Sequence, residues 1–229
     1  MTRTITDLLA ELPEGESRLF KAKHPSADDD RFVEVWSNLN YEPYVWWKNQ
    51  AEFEEQPWTG TRVKPRIGLD ALVEPNITFN GQGSKLVDFH QPGGGAVYLV
   101  SPALLAVIER LDPGSLEVRP VVIKAKDGGA PFYFVMPKRL LEAVDPDRCD
   151  VQIEAVDIGG GKWRTLVRLS GGAAFHSEIT KSIHNFADLD APNKWFWSRE
   201  LLAAVKDAGM RGVSASVPAT LPTIDIDQF

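Results

Sequence analysis

The sequence predicts an α+β fold: a mixed, largely antiparallel sheet with a few packed helices. Three observations carry this reading. Short apolar or alternating runs recur between Gly- and Pro-rich turns, as strands do. The two clearest helical stripes are Leu104, Leu105, Ile108, Leu111 and Leu201, Leu202, Val205, Ala208. Each stripe follows a strand-like run and precedes another, so each helix has a sheet to pack on.

The elements follow in chain order. Ile5, Leu8, Leu9 and Leu12 share one face of a short amphipathic helix that Pro13 ends. Residues 31–39 fit two descriptions. Phe32, Val35, Trp36 and Leu39 suit a helix face, while the dense run from Phe32 to Trp36 suits a strand. Tyr44 to Trp47 reads as a strand, and residues 52–57 form an acidic segment interrupted by Pro57. Residues 66–69 and 77–79 are short strand candidates, and residues 91–95 form a loop.

From residue 96 the pattern sharpens. A strand over 96–100 runs into Ser101, whose hydroxyl can cap helix amides, and Pro102, which suits the first helical position. Asp112-Pro113-Gly114 stops that helix. Strands are expected over 116–123 and 132–136, with a turn over 126–129. Another pair is expected over 151–158 and 163–169, joined across Gly159-Gly160-Gly161. A shift of 97 residues then repeats the arrangement. Tyr98-Leu99-Val100-Ser101 matches Trp195-Phe196-Trp197-Ser198, the two helical stripes match, and Leu116 and Val118 match Val213 and Ala215. The repeat fits either a duplication or the common form of a strand–Ser–helix connection. The second helix is expected over 199–208, with Gly209 just past its end. The organisation is an aromatic-rich N-terminal region (1–86), an α+β core (87–217) and an irregular acidic tail (218–229), forming one compact unit.

Composition excludes several classes. At 229 residues with 43% hydrophobic content, the chain can bury a core without staples. No apolar run reaches the length of a membrane helix, and no signal peptide is evident, so a cytoplasmic protein is expected. One cysteine, Cys149, excludes an internal disulfide. The net charge of −7 disfavours nonspecific nucleic-acid binding and suits a basic partner.

Motifs for chemistry are weak. Asp88 and His90 with His176 or His184 have the residue types of a metal triad, but no spacing unites them. Gly81-Gln82-Gly83-Ser84-Lys85 has the wrong spacing for a phosphate loop, and the triple glycines lack a dinucleotide-binding context. Cys149 reads as a structural thiol, and Asp28-Asp29-Asp30 as a solvated run. The compositional excess is seven tryptophans. Trp195 and Trp197 share a strand face, and core burial outweighs surface recognition for that pair. No catalytic residue, metal or cofactor is expected.

Three further patterns occur in order: Val87-Asp88-Phe89 before Tyr98-Leu99-Val100-Ser101; Pro131-Phe132-Tyr133-Phe134-Val135 leading through Leu140-Leu141-Glu142 to Cys149; and Trp197-Ser198-Arg199-Glu200-Leu201-Leu202 ending in Gly209-Met210-Arg211-Gly212-Val213. In these the chain resembles a bacterial immunity-protein family of polymorphic toxin systems, first described as a myxobacterial domain of unknown function. The resemblance implies a non-enzymatic antitoxin that binds a cognate toxin, with neither nucleic acid nor membrane as partner. It carries no site residues. The surface expected to meet the toxin comprises Trp46, Trp47, Glu52, Glu54, Glu55 and Trp58, an aromatic cluster beside acidic residues. Two other readings compete: an aromatic platform for carbohydrate or nucleotide, and a metal-dependent enzyme using Asp88 and His90.

Overall fold

The computed structural model describes residues 3–25, 31–38, 45–54, 67–81, 86–92, 97–126, 128–160, 162–170, 173–216 and 224–225. The acidic run at 28–30, residues 82–85 of the candidate phosphate loop and the glycines at 93–95 lie outside the described residues.

Helix α1 (Ile5–Ala10) starts at a reciprocal capping box between Thr4 and Asp7 and buries Ile5 and Leu8. Strand β1 (Arg18–Phe20) follows. Within the ambiguous segment, the described residues form strand β2 (Phe32–Ser37). Phe32 enters one core while Val33 and Val35 enter another, a two-sided demand that the period of a strand meets. Next come β3 (Val45–Trp47) and α2 (Gln50–Glu54). The strand expected over 66–69 does not form; Leu69–Ala71 is a 3-10 turn. Side chains, not a neighbouring strand, satisfy its backbone. Glu117 Oε2 accepts from Leu69 N (2.9 Å), and Arg119 donates to the carbonyls of Leu69, Leu72 and Val73.

Strands β4 (Ile77–Phe79), β5 (Phe89–His90) and β6 (Tyr98–Val100) lead into α3 (Pro102–Leu111). The long hairpin β7 (Leu116–Ala125) and β8 (Gly128–Pro137) follows, with Gly128 and Gly129 already in strand. Then come β9 (Leu140–Leu141), β10 (Asp150–Gly159), β11 (Lys162–Ser170), α4 (Ser177–Thr180), β12 (Asn185–Asp188), β13 (Ala191–Ser198), α5 (Arg199–Asp207) and β14 (Val213–Ser216). The tail contributes a two-residue strand, β15 (Ile224–Asp225).

These strands form three sheets, ordered β1-β10-β11-β15, β14-β2-β13-β12-β9 and β3-β4-β7-β8-β6-β5. Among the described residues only β4–β7 and β9–β12 pair in parallel, so the fold is α+β with mixed, largely antiparallel sheets. The first core joins α1 and the first sheet to one face of the second, where Phe32, Phe175 and Phe186 meet edge-to-face. The second core gathers α3 and α5 with the other face of the second sheet and one face of the third. The third lies under the remaining face of the third sheet, against Phe53, Leu69 and Leu72.

The repeat seen at a shift of 97 has a three-dimensional counterpart. One unit is β5, β6, α3, β7 and β8; the other is β12, β13, α5 and β14, completed by β2 from the far N-terminal side. Their strand orders correspond, β7-β8-β6-β5 against β14-β2-β13-β12. Val135 sits between Tyr98 and Val118, as Val35 sits between Trp195 and Ala215. Ser101 caps α3 through Leu104 N (3.1 Å), and Ser198 caps α5 through Leu201 N (3.0 Å). The Ser101 hydroxyl also bonds Asp88, and that of Ser198 bonds His184. Helix α5 ends in a Schellman motif, with Gly209 at φ +70° and Met210 N donating to Val205 O. The two units touch at Gly212, where a Cβ would lie 2.5 Å from Phe89 O; only glycine fits there.

Candidate functional site: an uncovered sheet face

Strand and helix differ in rise per residue, and this shapes the third sheet. Ten residues of β7 extend roughly 33 Å, whereas the ten residues of α3 reach only about 15 Å. The helix layer therefore covers the part of the hairpin carrying Leu116, Val118, Tyr133 and Val135. Beyond it the same face continues with Pro120, Val122, Lys124 and Pro131, all exposed, Val122 at 59%. Strands β4 and β3 widen the face: Thr78 lies opposite Lys124, and Trp46 lies opposite Thr78. Trp46 is 60% exposed.

Two shallow depressions mark this surface. One, of about 550 Å³, is lined by Glu74, Asn76, Pro120, Val122, Lys124, Pro131 and Tyr133 among others. The second, of about 410 Å³, lies between Trp46, Lys48, Thr78 and Asn80. Lys124 Nζ donates to Asn76 Oδ1 (3.1 Å), which links the two strands at the centre of the face. Chemically this is a rigid, mostly apolar platform with lysines around it. Its proline rings fix φ and its strands hold the side chains in place, so little conformational entropy is lost on contact.

The residues expected to meet a toxin are distributed as follows. Trp46 is on the uncovered face. Trp47 points to the opposite face, packed on Phe53 (4.5 Å) and Phe134 (5.3 Å), with its Nε1 donating to Asn49. Glu52 is exposed on α2, whose Phe53 enters the third core. Glu54 ends α2. Glu55 and Trp58 lie outside the described residues. Sequence reasoning missed Pro120, Val122, Lys124 and Pro131. Their signal was a strand apolar on both faces beside a helix too short to cover it.

The groups with catalytic or metal-binding potential are engaged elsewhere. Asp88 accepts from Ser101 Oγ (2.8 Å) and Arg211 N (2.9 Å), which ties the two units together. His90 is buried near Phe132, and burial lowers its pKa to about 4. His176 bonds the Arg3 carbonyl (2.9 Å) and faces Asp145, fastening the N-terminal segment. His184 serves Ser198. Cys149 is buried, contacts Asp145 O, and burial pushes its thiol up to about 11, well away from reactivity at neutral pH. Among the described residues, no three of His, Cys, Asp and Glu gather in a metal-holding group.

A buried polar cluster braces the middle of the molecule. Asp112 Oδ2 accepts from Arg139, from the backbone of His184 and Asn185, and from the Asn185 amide. That amide also reaches Ser115, and its oxygen accepts from Trp195 Nε1. Every partner is a protein group, so the cluster reads as a joint between α3 and β12. Trp195 and Trp197 are fully buried, as their shared parity implied.

The model of the Imm11 immunity protein family matches residues 29–217. The chain belongs to that family. The Imm11 match takes in β2 and β14, and so both of the related units and the uncovered face between Trp46 and Pro131. No curated protein matches the chain. No helix among the described residues is long and apolar enough to cross a membrane.

Proposed function

We propose that this Imm11 protein is a non-enzymatic antitoxin of the bacterial cytoplasm. It binds the cognate toxin of a polymorphic toxin system and neutralises it by covering the toxin's working surface. Family membership over residues 29–217 is the observation that carries the reading. Two features support it. Asp88, His176 and His184 are held in structural hydrogen bonds, and His90 is buried beside Phe132. Trp46, the most exposed large aromatic among the described residues, sits on a preformed sheet face. A stable complex needs roughly 1,600 Å² of total buried surface. The uncovered face supplies the apolar centre of such an interface. Trp46 stands within that centre and Trp47 anchors its strand from the opposite face, while Glu52, Glu54, Glu55 and Trp58 remain residues to test by mutation.

The test is co-expression with the product of the neighbouring reading frame. Restored growth and a co-purifying complex are expected. A toxic neighbour that is neither rescued nor bound would overturn the proposal.

A further inference from the structure

The uncovered face differs in charge from the rest of the molecule. The whole chain carries a net charge of −7, which suits a basic partner at long range. On this face the balance reverses. Lys48, which follows Trp46 at strand spacing, Lys124 at the centre and Lys126 at the adjoining turn are all exposed. Glu74 is the facing acid among the described residues lining the depressions. Lys124 bonds an amide, not a carboxylate, and Lys48 and Lys126 make no ion pair among the described residues. Exposed ammonium groups without a carboxylate partner among the described residues thus share this face with Val122, Pro120, Pro131 and Trp46.

We infer that the toxin, on the reading proposed above, meets this face with an acidic rim around an apolar protrusion. The apolar protrusion fills the depression over Val122, and its carboxylates pair with Lys48, Lys124 and Lys126. Such contacts act at short range, where salt weakens them less than it does the distributed negative charge of the chain, which is damped beyond about 8 Å at physiological salt. A protein surface fits better than a nucleic acid. A polyphosphate backbone would meet three lysines and the repulsion of a net-negative chain, with Trp46 the one exposed ring among the described residues of this face for stacking.

The experiment measures the affinity of the purified neighbouring-gene product for four proteins: wild type, Lys48→Glu/Lys124→Glu, Val122→Asp and Ile158→Asp. Ile158 is 53% exposed on the β10–β11 hairpin, away from this face, and serves as the control. Urea midpoints establish that each variant is folded, and Lys124→Gln serves as a milder charge removal. The expected result is a loss of roughly tenfold or more for the double charge reversal and for Val122→Asp, with Ile158→Asp unchanged. Added salt should weaken wild-type binding and, by screening the like charges now facing each other, strengthen binding by the charge-reversed variant. Tighter binding by Lys48→Glu/Lys124→Glu would overturn the inference by revealing a basic partner. Unchanged affinity in both face variants would overturn it while leaving toxin binding intact. A single-stranded oligonucleotide that binds with the same lysine dependence would also overturn it. A wild-type protein that binds no toxin overturns the proposed function, and this inference with it.

Discussion

In the unit built on α5, β14 has four residues and β2 has six, and their inward side chains are shared with the helix layer. In the unit built on α3, the corresponding strands β7 and β8 each run ten residues. The first positions of β7 correspond in register to β14, with Leu116 and Val118 standing where Val213 and Ala215 stand, and Leu116, Val118 and Val213 pack on the helix layer. The remaining length contributes little to the helix layer and ends in exposed Val122 and Lys124. The shared part of the two units is therefore the part that packs on the helix layer. The excess of one over the other buries Val121, Ile123 and Phe132 in the third core on one face and leaves the opposite face, with Val122, exposed. Substitutions that respect this division should separate stability from binding.

The largest effect is expected in the shared part. Trp197 is fully buried, 5.0 Å from Trp195 and 5.8 Å from Phe89. Replacing Trp197 with Ala should cost about 3–5 kcal/mol of unfolding free energy, measured by urea titration. Val122→Ala in the excess part should change it by less than about 0.5 kcal/mol. Comparable losses at both positions would break the comparison.

The next effect sharpens it through pH. His90 and Phe186 occupy equivalent positions, next to the Phe89–Val100 and Asn185–Trp197 pairs. Burial holds folded His90 near a pKa of about 4, against an ordinary 6.5. Between those values the unfolded chain binds a proton that the folded chain does not. Stability should then rise as pH increases from 4 to 6.5 and level off above, by roughly 3 kcal/mol in total from this residue. His90→Phe, which copies the other unit, should flatten that slope whatever its effect on packing. An unchanged slope between pH 4 and 6.5 would show that another group carries it.

The smallest effect concerns the two caps. Ser101→Ala and Ser198→Ala should each cost about 1 kcal/mol by the loss of one capping bond. Each also strips a second partner, Asp88 from Ser101 and His184 from Ser198, and Ser101→Ala should cost more because its partner is the carboxylate that joins the units. Equal losses in thermal unfolding would contradict that asymmetry.

Much of this fold was legible from local pattern. Helix α3 runs over the predicted Pro102–Leu111 because Ser101, Pro102 and an apolar stripe of period 3.6 all act within one short segment. The hairpins β7–β8 and β10–β11 likewise announce themselves by apolar runs around glycines. Strand β12 did not, since Asn185-Phe186-Ala187-Asp188 has no strand periodicity; pairing with β13 and the Asp112 brace make it one. The candidate site was legible only at Trp46. Its other members depend on where α3 stops relative to β7, a difference between two elements and not a property of either.

The amino-acid order alone determined the class of fold, the two capped helices, the burial parity of Trp195 and Trp197, and the three-element repeat. These rest on periodicity and capping, which act between residues a few positions apart. Tertiary structure alone decided that β2 completes the second unit from 160 residues away and that Phe32–Ser37 extends as a strand. It also decided that one face of the third sheet stays bare. Strand pairing joins distant segments through backbone groups that every residue carries, so its choice of partner leaves little trace in local sequence.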